Sequence, residues 1–157
     1  MLEVLALAAG EALGLEASVG SSIEVPRDAF NRRRGQYLGE GFLDSLAAWR
    51  RGPGLLLGIT EADLFLPRLN FVFGVADRFR GVAVVSMHRL RPEFYGDRPD
   101  ERLFRERILK ESIHELGHVL GLTHCEEPDC IMHFSNSIGD TDRKGPGFCG
   151  KCQGRLA

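Results

Sequence analysis

The chain has 157 residues, of which 43% are hydrophobic and 27% charged, so it has the composition of an ordinary globular protein long enough to bury a core. Its 20 basic and 22 acidic residues leave a formal net charge of −2, which gives no electrostatic reason to expect nucleic acid as a partner. The apolar N-terminus lacks a basic leading region and contains Glu3 and Glu11, and no stretch is long enough to cross a bilayer, so we expect a cytoplasmic protein without a membrane partner.

Helices and short strands alternate in the predicted first half of the chain. Apolar residues at helical spacing predict two helices: residues 2–14 and 36–50. Short runs rich in apolar or β-branched residues predict four strands: residues 16–25, 55–60, 70–75 and 82–88. This alternation favours a sheet with helices packed against it, within one domain that covers residues 1–157.

A third helix is predicted from about Asp100 to Leu120. Its apolar residues recur at spacings of four, three and four: Leu109, Ile113, Leu116 and Leu120. By the helical period, this stripe lies roughly opposite His114 and His118. We therefore expect one side of the helix to pack on the sheet while the other side presents the two histidines to a cleft.

The segment HELGHVLGLTH, which begins at His114, carries the strongest chemical signal. His114 and His118 are one helical turn apart and project from the same face, so both can reach one metal ion. Glu115 lies between them, where a general base for a zinc-bound water belongs. Gly121 can end the helix in a left-handed conformation, so that the chain turns back and His124 supplies a third nitrogen. Three ligands and one open position are typical of a catalytic zinc site.

The alternative is that these histidines are structural and that the motif occurs by chance. Gly121 and His124 argue against it, because they extend the motif at the offsets typical of metzincins. Core histidines would also lie within the apolar stripe of the helix, and neither His114 nor His118 does. Of the two remaining histidines, His88 is predicted to be a surface or packing residue, and His133 is predicted to lie near the metal without being needed as a ligand.

All four cysteines lie in the last third of the chain, as a C-x4-C pair followed by a C-x2-C pair: Cys125, Cys130, Cys149 and Cys152. In a reducing compartment this spacing favours a closed, tetrahedral zinc site over two disulfides. Metal binding would then hold a C-terminal segment that has few long apolar runs. A site that mixes histidine and cysteine is less economical, because it leaves either the catalytic site short of ligands or some thiolates unpaired.

The segment HELGHVLGLTHCEEPDCIM, followed by Cys149 and Cys152, closely resembles the archaemetzincins, a branch of the metzincin metallopeptidases that carries a second zinc site. Weaker likeness extends to four further stretches: NFVFGVA from Asn70, MHRL from Met87, FSNS from Phe134 and DTDRK from Asp140. The resemblance covers essentially the whole chain from the first helix onward. It implies an α+β, zincin-like fold, in which a twisted, mixed and mostly parallel sheet is flanked by helices and a four-cysteine zinc site organises residues 125–157.

By this resemblance the metal ligands form two sets: His114, His118 and His124 for a catalytic zinc, and Cys125, Cys130, Cys149 and Cys152 for a structural zinc. Glu115 would be the base. Met132 would be the methionine of the turn beneath the active site, a hydrophobic cushion rather than a ligand. Phe134 stands where some other metzincins have a metal-reaching tyrosine, so no fifth ligand is expected.

We therefore predict a monomeric zinc-dependent peptidase with two zinc ions per chain and a peptide or protein as its substrate. Water bound to the catalytic zinc would lose its proton to Glu115 and attack the peptide carbonyl, and Glu115 would pass the proton to the leaving amine. The strand at residues 82–88, as an exposed edge of the sheet, would hold an extended substrate. The alternative is a catalytically silent, zinc-stabilised peptide- or protein-binding module, since the sequence contains no recognisable specificity pocket.

Overall fold

The computed structural model describes residues 1–156. Among these residues there are five α-helices: α1 (Leu2–Leu13), α2 (Gly39–Trp49), α3 (Glu101–Val119), α4 (Ile138–Arg143) and α5 (Gly150–Leu156). The strands are β1 (Phe30–Asn31), β2 (Gln36–Leu38), β3 (Leu56–Thr60), β4 (Leu64–Phe65), β5 (Gly74–Asp77) and β6 (Val82–Ser86). No helix in this part of the chain combines the length and the apolar character needed to cross a membrane.

The strands form two small mixed sheets, in the orders β1-β2-β4 and β3-β6-β5. In each sheet one strand pair is parallel and the other antiparallel. The α+β class is confirmed, but the expectation of a mostly parallel sheet is wrong in this detail. The reason is that the connection between β5 and β6 is a short turn, which joins neighbouring strands only in the antiparallel sense.

Strand β6 is the central strand of its sheet, and each of its five residues is buried. The prediction that residues 82–88 form an exposed edge is therefore wrong. Both backbone edges of β6 are already paired, with β3 on one side and β5 on the other. The exposed edges of this sheet belong to β3 and β5, since neither has a second partner within residues 1–156.

Three predicted elements differ in the structure: one strand is absent, and one helix and one strand have other bounds. Residues 16–25 form no strand, because most of these side chains are exposed and their backbone pairs with no other strand. Residues 36–38 form β2 instead of the first turn of a helix, because they pair with β4 and with β1. The strand predicted at 70–75 begins at Gly74, where pairing with β6 starts.

Helix α3 crosses the middle of the molecule, in contact with α1, α4, β5 and β6. Its start is determined by Asp100, whose carboxylate accepts a hydrogen bond from the Leu103 backbone N–H at 2.9 Å. The second half of α3 is buried on almost every side, whereas Leu120 is 38% exposed. The predicted one-sided stripe is therefore wrong, because the sheet covers one side of the helix and the C-terminal segment covers another.

Candidate metal centre

The imidazoles of His114, His118 and His124, here called the histidine cluster, converge at the C-terminal end of α3. One ring nitrogen from each histidine lies within 4.8 Å of the others. The Nε2 atoms of His114 and His118 are 3.1 Å apart. Two nitrogens bound to one tetrahedral zinc at ~2.05 Å would be about 3.3 Å apart, so the spacing of this pair fits the ion.

Backbone carbonyls orient two of the three rings. The Nδ1 atom of His114 lies 2.8 Å from the carbonyl oxygen of Ile131, and Nδ1 of His118 lies 2.8 Å from that of Leu122. A carbonyl oxygen only accepts hydrogen bonds, so each ring carries its proton on Nδ1 and directs the lone pair of Nε2 toward the cluster. Two lone pairs that face each other at 3.1 Å repel unless a cation lies between them. This arrangement is the strongest structural indication of a metal site.

Burial keeps the histidine cluster in the neutral form that metal binding requires. Burial and, to a smaller extent, the nearby positive charge of Lys144 lower the pKa of His114 to about 2. Burial likewise lowers the pKa values of His118 and His124. The three nitrogens are therefore available to a metal without first losing protons.

Gly121 turns the chain so that His124 reaches the other two rings. Its φ of +100° lies in the region that favours glycine, as the sequence predicted. A Cβ atom at this position would also lie 3.1 Å from the guanidinium carbon of Arg78. His114 is buried and His124 is exposed, so the cluster is closed beneath and open toward solvent, as a substrate requires.

Glu115 lies between the two helical histidines and packs against β5. A Cβ atom at Gly74 would lie 2.6 Å from Cγ of Glu115, so only glycine leaves room for this side chain. Burial and, to a smaller extent, the negative charge of Glu111 raise the pKa of Glu115 to about 8, against the opposing effect of the Lys144 charge. Near neutral pH such a carboxyl group can both accept and release a proton.

The four cysteines form a second group, here called the thiol cluster: Cys125, Cys130, Cys149 and Cys152. Sulfur atoms of Cys125 and Cys149 are 3.7 Å apart, and all four thiols are free. Two thiolates on one tetrahedral zinc at ~2.3 Å would be about 3.8 Å apart, whereas a disulfide needs about 2.05 Å. The geometry therefore fits a closed zinc site and does not fit the disulfide alternative.

Four other residues that the sequence singled out lie outside both clusters. Met132 is fully buried beneath α3, where a Cβ atom at Gly117 would lie 2.5 Å from its sulfur. The ring centroid of Phe134 lies 5.0 Å from that of His124, with the two planes tilted by 53°, and the phenyl ring offers no ligand atom. His133 is outside the histidine cluster, and its Nδ1 lies 2.8 Å from the carbonyl oxygen of Cys125. His88 contacts the ring of Phe94 and is likewise outside the cluster.

The structure contains a buried ion pair near the histidine cluster that the sequence-based predictions did not include. The Nζ atom of Lys144 lies 3.0 Å from Glu111, and both side chains are almost completely buried. Within residues 1–156 this Nζ atom has no hydrogen-bond partner, so the contact is one between opposite charges. Thr141 donates a hydrogen bond of 2.8 Å to the same carboxylate oxygen. The only sequence signal was that Glu111 precedes Glu115 by one helical turn, and it gave no indication of the partner 33 residues away.

Comparison with known proteins identifies relatives over nearly the whole chain. Residues 15–157 match the family model of peptidase family M54. The archaemetzincin of Pyrococcus furiosus is 52% identical over 130 residues, which cover 82% of this chain and 68% of the relative. The archaemetzincin of Methanocaldococcus jannaschii is 46% identical over 147 residues, which cover 94% of this chain and 80% of the relative.

Solved structures give the same result. A zinc-dependent peptidase from Methanocorpusculum labreanum superposes with a TM-score of 0.92 at 34% identity, over 98% of this chain and 92% of the other. The archaemetzincin of Methanopyrus kandleri superposes with a TM-score of 0.89 at 39% identity, over 99% of this chain and 83% of the other.

Proposed function

Because the chain belongs to peptidase family M54, the archaemetzincins, and is a zinc metallopeptidase, we propose that the histidine cluster holds its catalytic zinc and that Glu115 is the general base. The observation that carries the proposal is the pair of facing Nε2 atoms, 3.1 Å apart, whose rings are locked by carbonyl oxygens. Glu115 lies between these two ligands on the same helix. The non-catalytic alternative has no comparable support, because the relatives are peptidases.

The chemistry divides between the ion and the side chains. Zinc bound here would acidify a water molecule and polarise the carbonyl of the substrate. Glu115 would accept a proton from the attacking water molecule and pass it to the amine that leaves when the peptide bond breaks. The packing of Glu115 against Gly74 restricts the carboxylate to one position beside the histidine cluster. His124 and Phe134 lie on the exposed side, through which a peptide can approach.

We propose that the substrate binds along β5 rather than along β6. Strand β5 has a free backbone edge within the described chain, and its first residue, Gly74, contacts Glu115. An extended peptide paired with this edge would pass directly beside the proposed base. This replaces the predicted role of residues 82–88, whose backbone groups are already paired.

We further propose two zinc ions per chain, the second one in the thiol cluster. Four thiols whose sulfur atoms lie within 4.8 Å of one another would leave a tetrahedral ion no open coordination position, so this ion would serve the fold and not the reaction. The C-terminal region from Cys125 onward would then be part of one catalytic domain, organised around this ion.

Replacement of Glu115 by glutamine tests the role of the base. The variant Glu115→Gln keeps the size of the side chain and should lower the hydrolysis of a peptide library by about 100- to 10,000-fold, while its zinc content is unchanged. Cleavage is measured by mass spectrometry and zinc by elemental analysis. The matched control is Glu106→Gln, an exposed position on the same helix, which should cleave normally. Undiminished cleavage by Glu115→Gln would contradict the proposal.

A further inference from the structure

The histidine cluster and the thiol cluster share one short stretch of backbone. His124 is followed directly by Cys125, so the third ligand of one cluster adjoins the first of the other. Cys130 is followed directly by Ile131, whose carbonyl oxygen accepts the hydrogen bond from His114. Two of the three histidines are therefore positioned by residues that adjoin thiol ligands.

We infer that the thiol cluster is a positioning device for the catalytic site, so that zinc bound by the four thiols raises the affinity of the histidine cluster for its own ion. This inference rests on the proposed function, in which the histidine cluster holds the catalytic zinc. It goes further, because it assigns the second site a measurable effect on the first.

The Ile131 carbonyl is held in place by the segment that carries the second pair of cysteines. Ile131 is fully buried, and its backbone N–H donates to the carbonyl oxygen of Gly147 at 2.9 Å. The N–H of Gly145 donates to the carbonyl oxygen of Asp129 at 2.7 Å. The N–H of Cys149 lies 3.3 Å from the sulfur of Cys130. Anything that separates these two segments moves the oxygen that orients His114.

The backbone at Cys125, the first residue of the thiol cluster, is also held by hydrogen bonds. The N–H of Cys125 donates to the carbonyl oxygen of Met132 at 3.0 Å, and the carbonyl oxygen of Cys125 accepts from the ring of His133 at 2.8 Å. These bonds fix the residue after His124. They also connect it to Met132, which fills the space beneath α3 at Gly117.

Regular secondary structure does not hold this region. Residues 120–137 form neither helix nor strand. Their apolar contacts come from a small core that includes two of the thiol ligands themselves, Cys130 and Cys152, together with Ile131 and Met132. Without an ion, this core would be held by isolated backbone hydrogen bonds and by apolar packing against Ala9 of α1 and Ile113 of α3. An ion in the thiol cluster would join the two cysteine pairs directly and so restrict the movement of the Ile131 carbonyl.

The expected change in the zinc affinity of the histidine cluster can be taken from other zinc sites in which a group that orients a ligand was removed. Loss of a partner that orients a histidine ligand lowers metal affinity by about 10- to 100-fold. Because binding couplings are reciprocal, zinc in the histidine cluster should raise the affinity of the thiol cluster by the same factor. If the thiols only anchor α5, the affinity of the histidine cluster will not depend on them.

The test compares zinc affinities of the histidine cluster with the thiol cluster intact and disabled. Competition with a chromophoric chelator gives the affinity in the natural protein and in Cys149→Ser/Cys152→Ser. The inference predicts a fall of about 10- to 100-fold in the double variant. Lys151→Ala, an exposed change between the two cysteines, is the matched control and should leave the affinity unchanged. An equal affinity in the double variant and the natural protein would overturn the inference.

Two further variants separate coupling from general loss of structure. Cys149→His retains four possible ligands at the thiol cluster and should restore the affinity of the histidine cluster, because three cysteines and one histidine are also a common zinc ligand set. If the double variant loses amide protection in β6, the measurement is made on Cys149→Ser alone while zinc is added stepwise. The affinity of the histidine cluster should then rise as the thiol cluster fills, and a constant affinity would overturn the inference.

The zinc content of His118→Ala shows whether the proposed function or only the coupling between the two clusters is wrong. If the His118→Ala variant contains as much zinc as the natural protein, the histidine cluster does not hold zinc and the proposed function is wrong. If His118→Ala removes one ion but the two clusters bind independently, only the inference is wrong.

Discussion

The histidine cluster and the thiol cluster adjoin in the chain, yet they are supported in opposite ways. Two of the three histidines project from α3, which is packed against the sheet and against α1. The thiols come from loops and from the start of the short helix α5. The α3 part of the histidine cluster is therefore in place before any metal binds, whereas zinc in the thiol cluster would link segments that have little regular secondary structure. On the proposed function, the first site would bind a metal for chemistry and the second would bind a metal for structure.

Removal of both metals should have the largest effect and should divide the molecule along this contrast. After treatment with a strong chelator, residues 121–156 should lose amide-exchange protection while β6 keeps it. The physical reason is the size of structural zinc binding, about 10–16 kcal/mol in zinc-finger peptides. Hydrogen-exchange mass spectrometry measures both regions in one experiment.

The control for this prediction removes the catalytic ion alone. His118→Ala should lower the zinc content by one ion per chain and leave the protection of residues 121–156 in place, because the thiol cluster keeps its metal. If His118→Ala unprotects this segment as fully as the chelator does, the distinction between the two clusters is wrong.

A smaller effect is expected at the buried ion pair that ties the end of α4 to α3. Lys144→Met leaves the carboxylate of Glu111 buried without its cation, which should lower the free energy of unfolding by about 3–5 kcal/mol. Urea denaturation of the zinc-loaded protein measures the change. The double variant Lys144→Met/Glu111→Leu removes both charges and should recover most of the loss. An equal loss in the single and double variants would contradict an ion pair.

The smallest predicted effect is the pH dependence of the metal-free histidine cluster. The pKa of His114 is lowered from 6.5 to about 2, mainly by burial, so below pH 6.5 the unfolded chain binds a proton that the folded chain does not. This contribution to stability is complete above pH 6.5 and is lost as the pH falls toward 2. At pH 5.5 the loss from this histidine should be roughly 1.4 kcal/mol.

Urea denaturation of protein that keeps zinc in the thiol cluster but has none in the histidine cluster, measured between pH 5 and 8, checks this prediction. His118 and His124 act in the same direction, since their pKa values are also lowered by burial. His114→Gln should reduce the slope of stability against pH. A slope that is unchanged by this substitution would show that His114 is protonated in the folded protein.

The sequence-based predictions succeeded where the determining contacts are close in the chain. His114, Glu115 and His118 are ordered by one turn of helix, and Gly121 has the positive φ that the return to His124 requires. The convergence of the two cysteine pairs was predictable because four thiols in a C-x4-C and C-x2-C pattern have few other ways to be satisfied. The roles of these residues stay proposals until the variants above are measured.

The predictions failed where pairing between distant segments decided the outcome. Residues 82–88 have the composition of a strand, but only the neighbours β3 and β5 make β6 central and leave the edge near Glu115 to β5. Similarly, α3 has one apolar stripe in its sequence, yet the C-terminal segment covers other faces as well. Composition indicates that a residue can be buried, but it does not indicate by what.

The sequence alone therefore determined the donor atoms, their grouping into two sets and the α+β class, because ligand type and local spacing are properties of the chain itself. Only the tertiary structure decided which carbonyl oxygens orient the rings, which cation accompanies Glu111 and which strand edge is free. Each of these depends on segments far apart in the chain, such as Ile131 against His114 and Lys144 against Glu111. Such contacts form only when the whole core packs, so no local pattern in the sequence encodes them.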